Sequence, residues 1–129
     1  MDSSSYKESF RKDMILWGEE KRRQDPGYFC QLATAGVSKP VWLVCDARRP
    51  TDMEYFKSLY SCKTVRIVAS EDMRRGRGWE FVKGVDDAAS ECALDDYPCD
   101  LTVINEGREG ELAEGLDVIK MLTRERLRR

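Results

Sequence analysis

Seven arginines of this 129-residue chain stand in three tight groups, Arg22-Arg23, Arg48-Arg49 and Arg74-Arg75-x-Arg77. A guanidinium presents a rigid fork of donors that matches the oxygens of a phosphate, so paired arginines point first to anion chemistry. Lys7 and Arg11 lie four residues apart, which puts both on one face if the segment is helical. The other reading of that pair is a solvated basic stripe on an amphipathic helix. The chain has no histidine. That removes histidine general bases, histidine-dependent triads and ordinary zinc sites together.

Composition narrows the class further. Hydrophobic residues make up 41% and charged residues 36%, too apolar for a disordered chain and enough for one domain with a core. The apolar runs fall far short of the roughly 20 residues that span a bilayer, and the opening MDSSS has no basic or apolar signal character. Five scattered cysteines, Cys30, Cys45, Cys62, Cys92 and Cys99, have no C-x-x-C spacing and read as reduced thiols of a cytosolic protein. The net charge is −2, yet residues 1–78 hold 15 Lys/Arg against 11 Asp/Glu and residues 79–129 hold 7 against 13. Small cationic pockets suit a phosphorylated small molecule better than a nucleic acid, which wants a broad basic face.

The elements that must position these cations follow from spacing. Ser5-x-x-Glu8 has the form of a capping box, with Tyr6, Phe10, Met14 and Trp17 on one helical face up to about Arg23. Asp25-Pro26 and Gly36 frame a second short helix. Val41–Cys45 and Thr64–Ala69 read as buried parallel strands, with a helix opened by Thr51-x-x-Glu54 between them. The stretch 71–79 is helical or loop-like, 84–98 is an acidic connection with one helical turn near Ala88-Ala89, and 101–104 is a third strand. A last helix is expected to bury Leu112, Leu116, Ile119 and Leu122. Strands alternating with helices imply an α/β fold with a parallel sheet. Trp17, Trp42 and Trp79 are expected in the core. Arg48 and Arg49 then sit at the C-terminal end of a strand, where open α/β sheets place their ligands. Asp46 is equally well a turn aspartate, Arg66 a snorkelling edge arginine, and Asn105 a turn residue before Gly107.

Four segments, in this order and spacing, resemble the animal phosphomevalonate kinases: SYKESFRKDMILWGEEKRRQDPGYFC (5–30), VWLVCDARRPTD (41–52), RRGRGW (74–79) with GVDDAASEC (84–92), and VINEG (103–107). The resemblance implies a P-loop, nucleoside-monophosphate-kinase-like fold and phosphoryl transfer from ATP with Mg2+ to 5-phosphomevalonate. It implies that Lys7, Arg11 and Arg22 contact phosphomevalonate. Arg48 and Arg49 would grip the acceptor phosphate and the transferred group, and Asp46 would orient the magnesium shell without ligating the metal. Residues 71–79 would form a lid that brings Arg74 and Arg77 over ATP, with Arg66 on the ATP side and Asn105 where the family closes on its nucleotide. Glu91 and Cys92 lie in a similar segment without an assigned role. An acceptor that is itself a phosphate monoester, dianionic at pH 7, needs cations and no general base.

Two residues depart from the pattern: Gln31 stands where a basic residue is common, and Glu106 where vertebrate members have histidine. More important, the chain contains no G-x-x-x-x-G-K-[ST] run. The expectation is thus a single kinase domain over residues 1–129, incomplete at its N-terminus, monomeric and inactive alone. The alternatives are a non-catalytic fragment or isoform that binds phosphomevalonate or an intact kinase, another P-loop small-molecule kinase, and, more weakly, a single-stranded nucleic-acid binder.

Overall fold

The computed structural model describes residues 3–128, which divide into two units at Ser38. In the first unit, α1 (Ser3–Gln24) packs on α2 (Tyr28–Thr34). Helix α1 is already formed at Ser3, so Ser5 lies inside its first turn and is not the cap that the Ser5-x-x-Glu8 spacing implied. The Asp25 side chain accepts from the Gly27 amide at 3.1 Å and turns the chain just ahead of α2. Packing between the two helices is aromatic. Trp17 meets the edges of Phe29 and Tyr28, with centroids 5.7 and 6.4 Å apart, and Cys30 is buried. Trp17 nevertheless stays 53% exposed, contrary to its expected core position.

The second unit begins with an extended segment and continues through α3 (Pro50–Leu59), β1 (Val65–Val68), α4 (Glu71–Gly76), α5 (Ala89–Cys92), β2 (Leu101–Ile104) and α6 (Glu111–Leu127). The expected strand at 41–45 is not formed. A strand exists only where another strand takes up its amides and carbonyls, and among the described residues no strand pairs with this segment. It is held by side chains: the Trp42 indole donates to the Lys39 carbonyl at 2.9 Å and packs at a tilt against Tyr60, with ring centroids 4.9 Å apart, while Leu43 is 85% exposed. Helix α3 starts at Pro50, whose fixed φ and missing N–H suit the first helical position. The acid that satisfies its entry is Asp52, which accepts from the Arg48 and Arg49 amides at 3.1 and 3.2 Å. The proposed Thr51–Glu54 box is therefore displaced by two residues.

Strands β1 and β2 pair in parallel with Val65 opposite Leu101 and Val68 opposite Ile104. Four residues per strand give few ladder bonds, and further hydrogen bonds pin both ends of the pair. At the start, one oxygen of the Asp100 carboxylate accepts from the Thr64 amide at 2.8 Å and from its hydroxyl at 3.0 Å. The Thr64 oxygen in turn accepts from the Asp100 amide at 2.9 Å. These bonds favour the charged carboxylate, and the Thr64 amide foremost holds the Asp100 carboxyl below its ordinary value. At the other end, the Asn105 amide donates to the Val68 carbonyl at 2.7 Å.

Helix α6 lies on β2, and the closest approach is made by glycine. A Cβ at Gly115 would fall 2.5 Å from Val103 Cγ1, and Val103 is 3% exposed. The expected apolar stripe is only partly covered. Ile119 and Leu122 are half-buried, whereas Leu112 and Leu116 remain 41% and 47% exposed. The architecture is mixed α/β around a two-stranded parallel sheet. Among the described residues no helix is long and apolar enough to cross a membrane.

Two outcomes test this account. Alanine normally stabilises a helix interior over glycine by about 1 kcal/mol, but Gly115→Ala should lower stability by about 1–3 kcal/mol through overpacking against Val103. Urea unfolding of Gly115→Ala, with Val103→Ala as the partner that restores space, measures it. For the sheet clamp, a carboxyl whose folded pKa is lowered contributes stability that is full above its unfolded value, about 3.9, and lost as pH falls through the folded value. The stability gap between the natural chain and Asp100→Asn should therefore be largest near pH 6 and close on acidification towards pH 2. A gap independent of pH removes Asp100 from the clamp.

Candidate functional site

The C-terminal ends of parallel strands are where an α/β unit gathers ligand-facing groups, and here those ends are crowded with polar side chains. After β1 comes Ser70, the N-cap of α4, whose hydroxyl accepts from the Met73 amide at 3.2 Å. After β2 come Asn105 and Glu106. The Glu106 carboxylate accepts from the Ser70 amide at 2.5 Å and from its hydroxyl at 2.9 Å. Its own amide donates to Glu111 Oε1 at 2.9 Å, while Glu111 Oε2 is buried with no hydrogen-bond partner. Glu106 thereby ties the exit of one strand to the exit of the other.

Arg77, just past α4, donates to the Asn105 carbonyl at 3.0 Å and lies 3.5 Å from its side-chain oxygen. Two of the sequence-selected residues are thus brought together. The neighbouring Gly107 has φ +82°, and a Cβ there would meet Met73 Cε at 3.3 Å and Arg77 Nη2 at 3.8 Å. Arg74 turns the other way and lies over the Trp79 ring at 4.6 Å, which leaves Trp79 half-buried beside the guanidinium. Arg75 pairs with Glu71 at 2.8 Å across one helical turn.

Arg48 and Arg49 precede α3, with their amides held by Asp52. The Arg48 guanidinium reaches Glu91 Oε1 on α5 at 3.2 Å, and the two side chains are 58% and 44% exposed. Arg49 is half-buried and Asp46 exposed. Arg66 is engaged within the fold. From β1 it donates to the Leu94 carbonyl and, at 3.3 Å, to that of Tyr97, fastening the 94–97 turn against the sheet. In the first unit, Lys7 is exposed, Arg11 pairs with Glu8 at 3.0 Å, and Arg22 pairs with Glu19 at 3.4 Å while stacking on Phe29 at 4.7 Å.

Sequence spacing had singled out the cations but not the acids that meet them. Ser70 before Glu71-Asp72 is a recognisable N-cap signal. Glu106 and Glu91 had none, because their partners are 36 and 43 residues away. Among the described residues no group of three or more His, Cys, Asp or Glu is placed to hold a metal ion.

Residues 1–62 match the family model described as phosphomevalonate kinase. A phosphomevalonate kinase of Drosophila melanogaster is 38% identical over 121 residues, covering 88% of this chain and 64% of that protein. The chain thus spans somewhat less than two thirds of that relative's length. In sequence, this chain is similar to that phosphomevalonate kinase.

Proposed function

We propose that this chain carries the phosphate-acceptor side and the lid of a phosphomevalonate kinase with a P-loop, nucleoside-monophosphate-kinase-like fold. The observation that carries the reading is the 38% identity along 121 residues with a protein of that name. The chemistry of the exposed cations supports it. An enzyme that joins two polyanions must first neutralise them, and phosphoryl transfer asks the protein mainly for positioning and charge. The acceptor is already an anionic nucleophile, so the absence of histidine costs the reaction nothing.

In this reading Arg48 and Arg49 hold the acceptor phosphate and steady charge as it shifts towards the transferred group. Lys7, Arg11 and Arg22 engage the rest of 5-phosphomevalonate. Residues 71–79 act as the lid, with Arg74 and Arg77 delivered over the nucleotide, Asn105 receiving it, and Arg66 supporting that side. ATP with Mg2+ supplies the phosphoryl group and shields its charge. The described residues fit the phosphates better than the metal. The arginines offer forked donors, whereas no acidic cluster is placed for magnesium, and Asp46 serves at most its water shell. No G-x-x-x-x-G-K-[ST] run is present to cradle the β- and γ-phosphates with backbone amides and lysine.

Calorimetry with 5-phosphomevalonate on the 129-residue chain tests the acceptor assignment. Binding is expected, and Arg48→Gln with Arg49→Gln should weaken it by roughly tenfold or more, the loss of charged hydrogen bonds worth about 1.5–3 kcal/mol each. A folded chain that takes up no phosphomevalonate overturns the proposal. A coupled ADP-release assay on the same chain should show no turnover above background; clear turnover would show that ATP is held by means other than a P-loop.

A further inference from the structure

The ion pairs Arg11–Glu8, Arg22–Glu19, Arg23–Glu20 and Arg75–Glu71 each close a single helical turn. The pair between Arg48 and Glu91 is of another kind. It spans 43 positions and joins the segment before α3 to α5. Both backbones are fixed independently of it. Asp52 holds the Arg48 and Arg49 amides, the Cys92 thiol donates to the Asp86 carbonyl at 3.0 Å, and Arg66 fastens the carbonyls of Leu94 and Tyr97. The contact is therefore not needed to place either element.

Two acids of the same loop are otherwise engaged. Asp86 accepts from the Val82 amide at 2.6 Å and Asp87 from the Gly84 amide at 2.5 Å, so their carboxylates close their own loop. Glu91 faces Arg48 instead, and with one oxygen on one nitrogen, Oε1 to Nη1 at 3.2 Å. An exposed single-contact pair of this sort is weak. A phosphate dianion offers the same guanidinium two parallel hydrogen bonds and a larger charge. On the nitrogen that Glu91 holds, it competes with a carboxylate of the same sign.

We infer that Glu91 is an exchangeable counter-ion of Arg48, which a phosphate ester must displace in order to bind. Glu91 thereby sets the affinity of the acceptor site and discriminates against weakly charged ligands. This rests on the reading of Arg48 as a phosphate-gripping residue. Glu91 acts through Arg48 and touches no reacting atom, which makes it a positioning residue.

The experiment is a double-mutant cycle read by calorimetry. 5-Phosphomevalonate and, separately, inorganic pyrophosphate are titrated into the natural chain, Glu91→Gln, Arg48→Gln and the double variant, with Asp96→Asn as a charge control. Circular dichroism checks that each is folded. Glu91→Gln should bind both probes about fivefold more tightly, the factor matching the roughly 1 kcal/mol upper value of an exposed pair. Asp96→Asn should gain less than about twofold from the same change in net charge. The gain should vanish in the Arg48→Gln background, which a purely structural or long-range electrostatic role of Glu91 does not produce. Unchanged or weaker binding by Glu91→Gln, or a gain that survives without Arg48, overturns the exchange. A gain for pyrophosphate alone keeps the exchange and removes phosphomevalonate as the ligand. Binding of neither probe by any folded variant removes both.

Discussion

Two four-residue strands in parallel register share too few hydrogen bonds to stay paired by the ladder alone, and everything placed around them inherits that shortage. The remedy is to fasten the pair at both ends with side chains. Thr64 and Asp100 exchange three hydrogen bonds where the strands begin. Glu106 bridges to Ser70 where they end. The face of β2 is closed by α6, with Gly115 letting the helix backbone come down onto Val103. Ile67 and Ile104, at 62% and 53% exposure, show how much apolar sheet remains uncovered. A purely parallel sheet is normally covered on both faces; here α6 lies on β2, and Ile67 and Ile104 stay open.

The cationic groups are distributed according to that frame. Arg77 is brought to the strand exits by α4 and rests on Asn105. Arg66, inside β1, is committed to the carbonyls of the 94–97 turn and serves the fold first. Arg48 and Arg49 owe their position to Asp52 and Pro50 at the start of α3. The same acid that begins the helix thus fixes the backbone from which Arg48 and Arg49 project.

Much of this was legible in the residues themselves. β1 and β2 announced themselves by β-branched runs, and α1, α3 and α6 by period and charge. The helix boundaries moved by one to three residues: α1 is already formed at Ser3, and α3 starts at Pro50 with Asp52, rather than the Thr51–Glu54 pair, satisfying its entry. The segment 41–45 has the composition of a strand, but composition cannot supply a neighbour, and without one the aromatic contacts of Trp42 decide its course. The arginine clusters stood out at once, and so did the family they resemble. Their counter-charges did not. Glu91, Glu106 and the carbonyls of Leu94 and Tyr97 are chosen by the crossover between strands, a long-range geometry that no local spacing encodes.

Helix α4 is fastened at both ends to the same short stretch of chain. Ser70 at its head is held by Glu106, and Arg77 behind it is held by the carbonyl of Asn105. Covalent chain and hydrogen bonds therefore close a ring that runs from Ser70 through the helix to Arg77, across to Asn105, on to Glu106 and back. A closed ring has fewer independent motions than a flap on a single hinge. To swing outward, α4 must open one of its two links or carry residues 105–106 with it, and the end of β2 moves in turn. Displacement of this helix is thus geared to the sheet, so a ligand that pulls on Arg77 also loads the bond between the two strands.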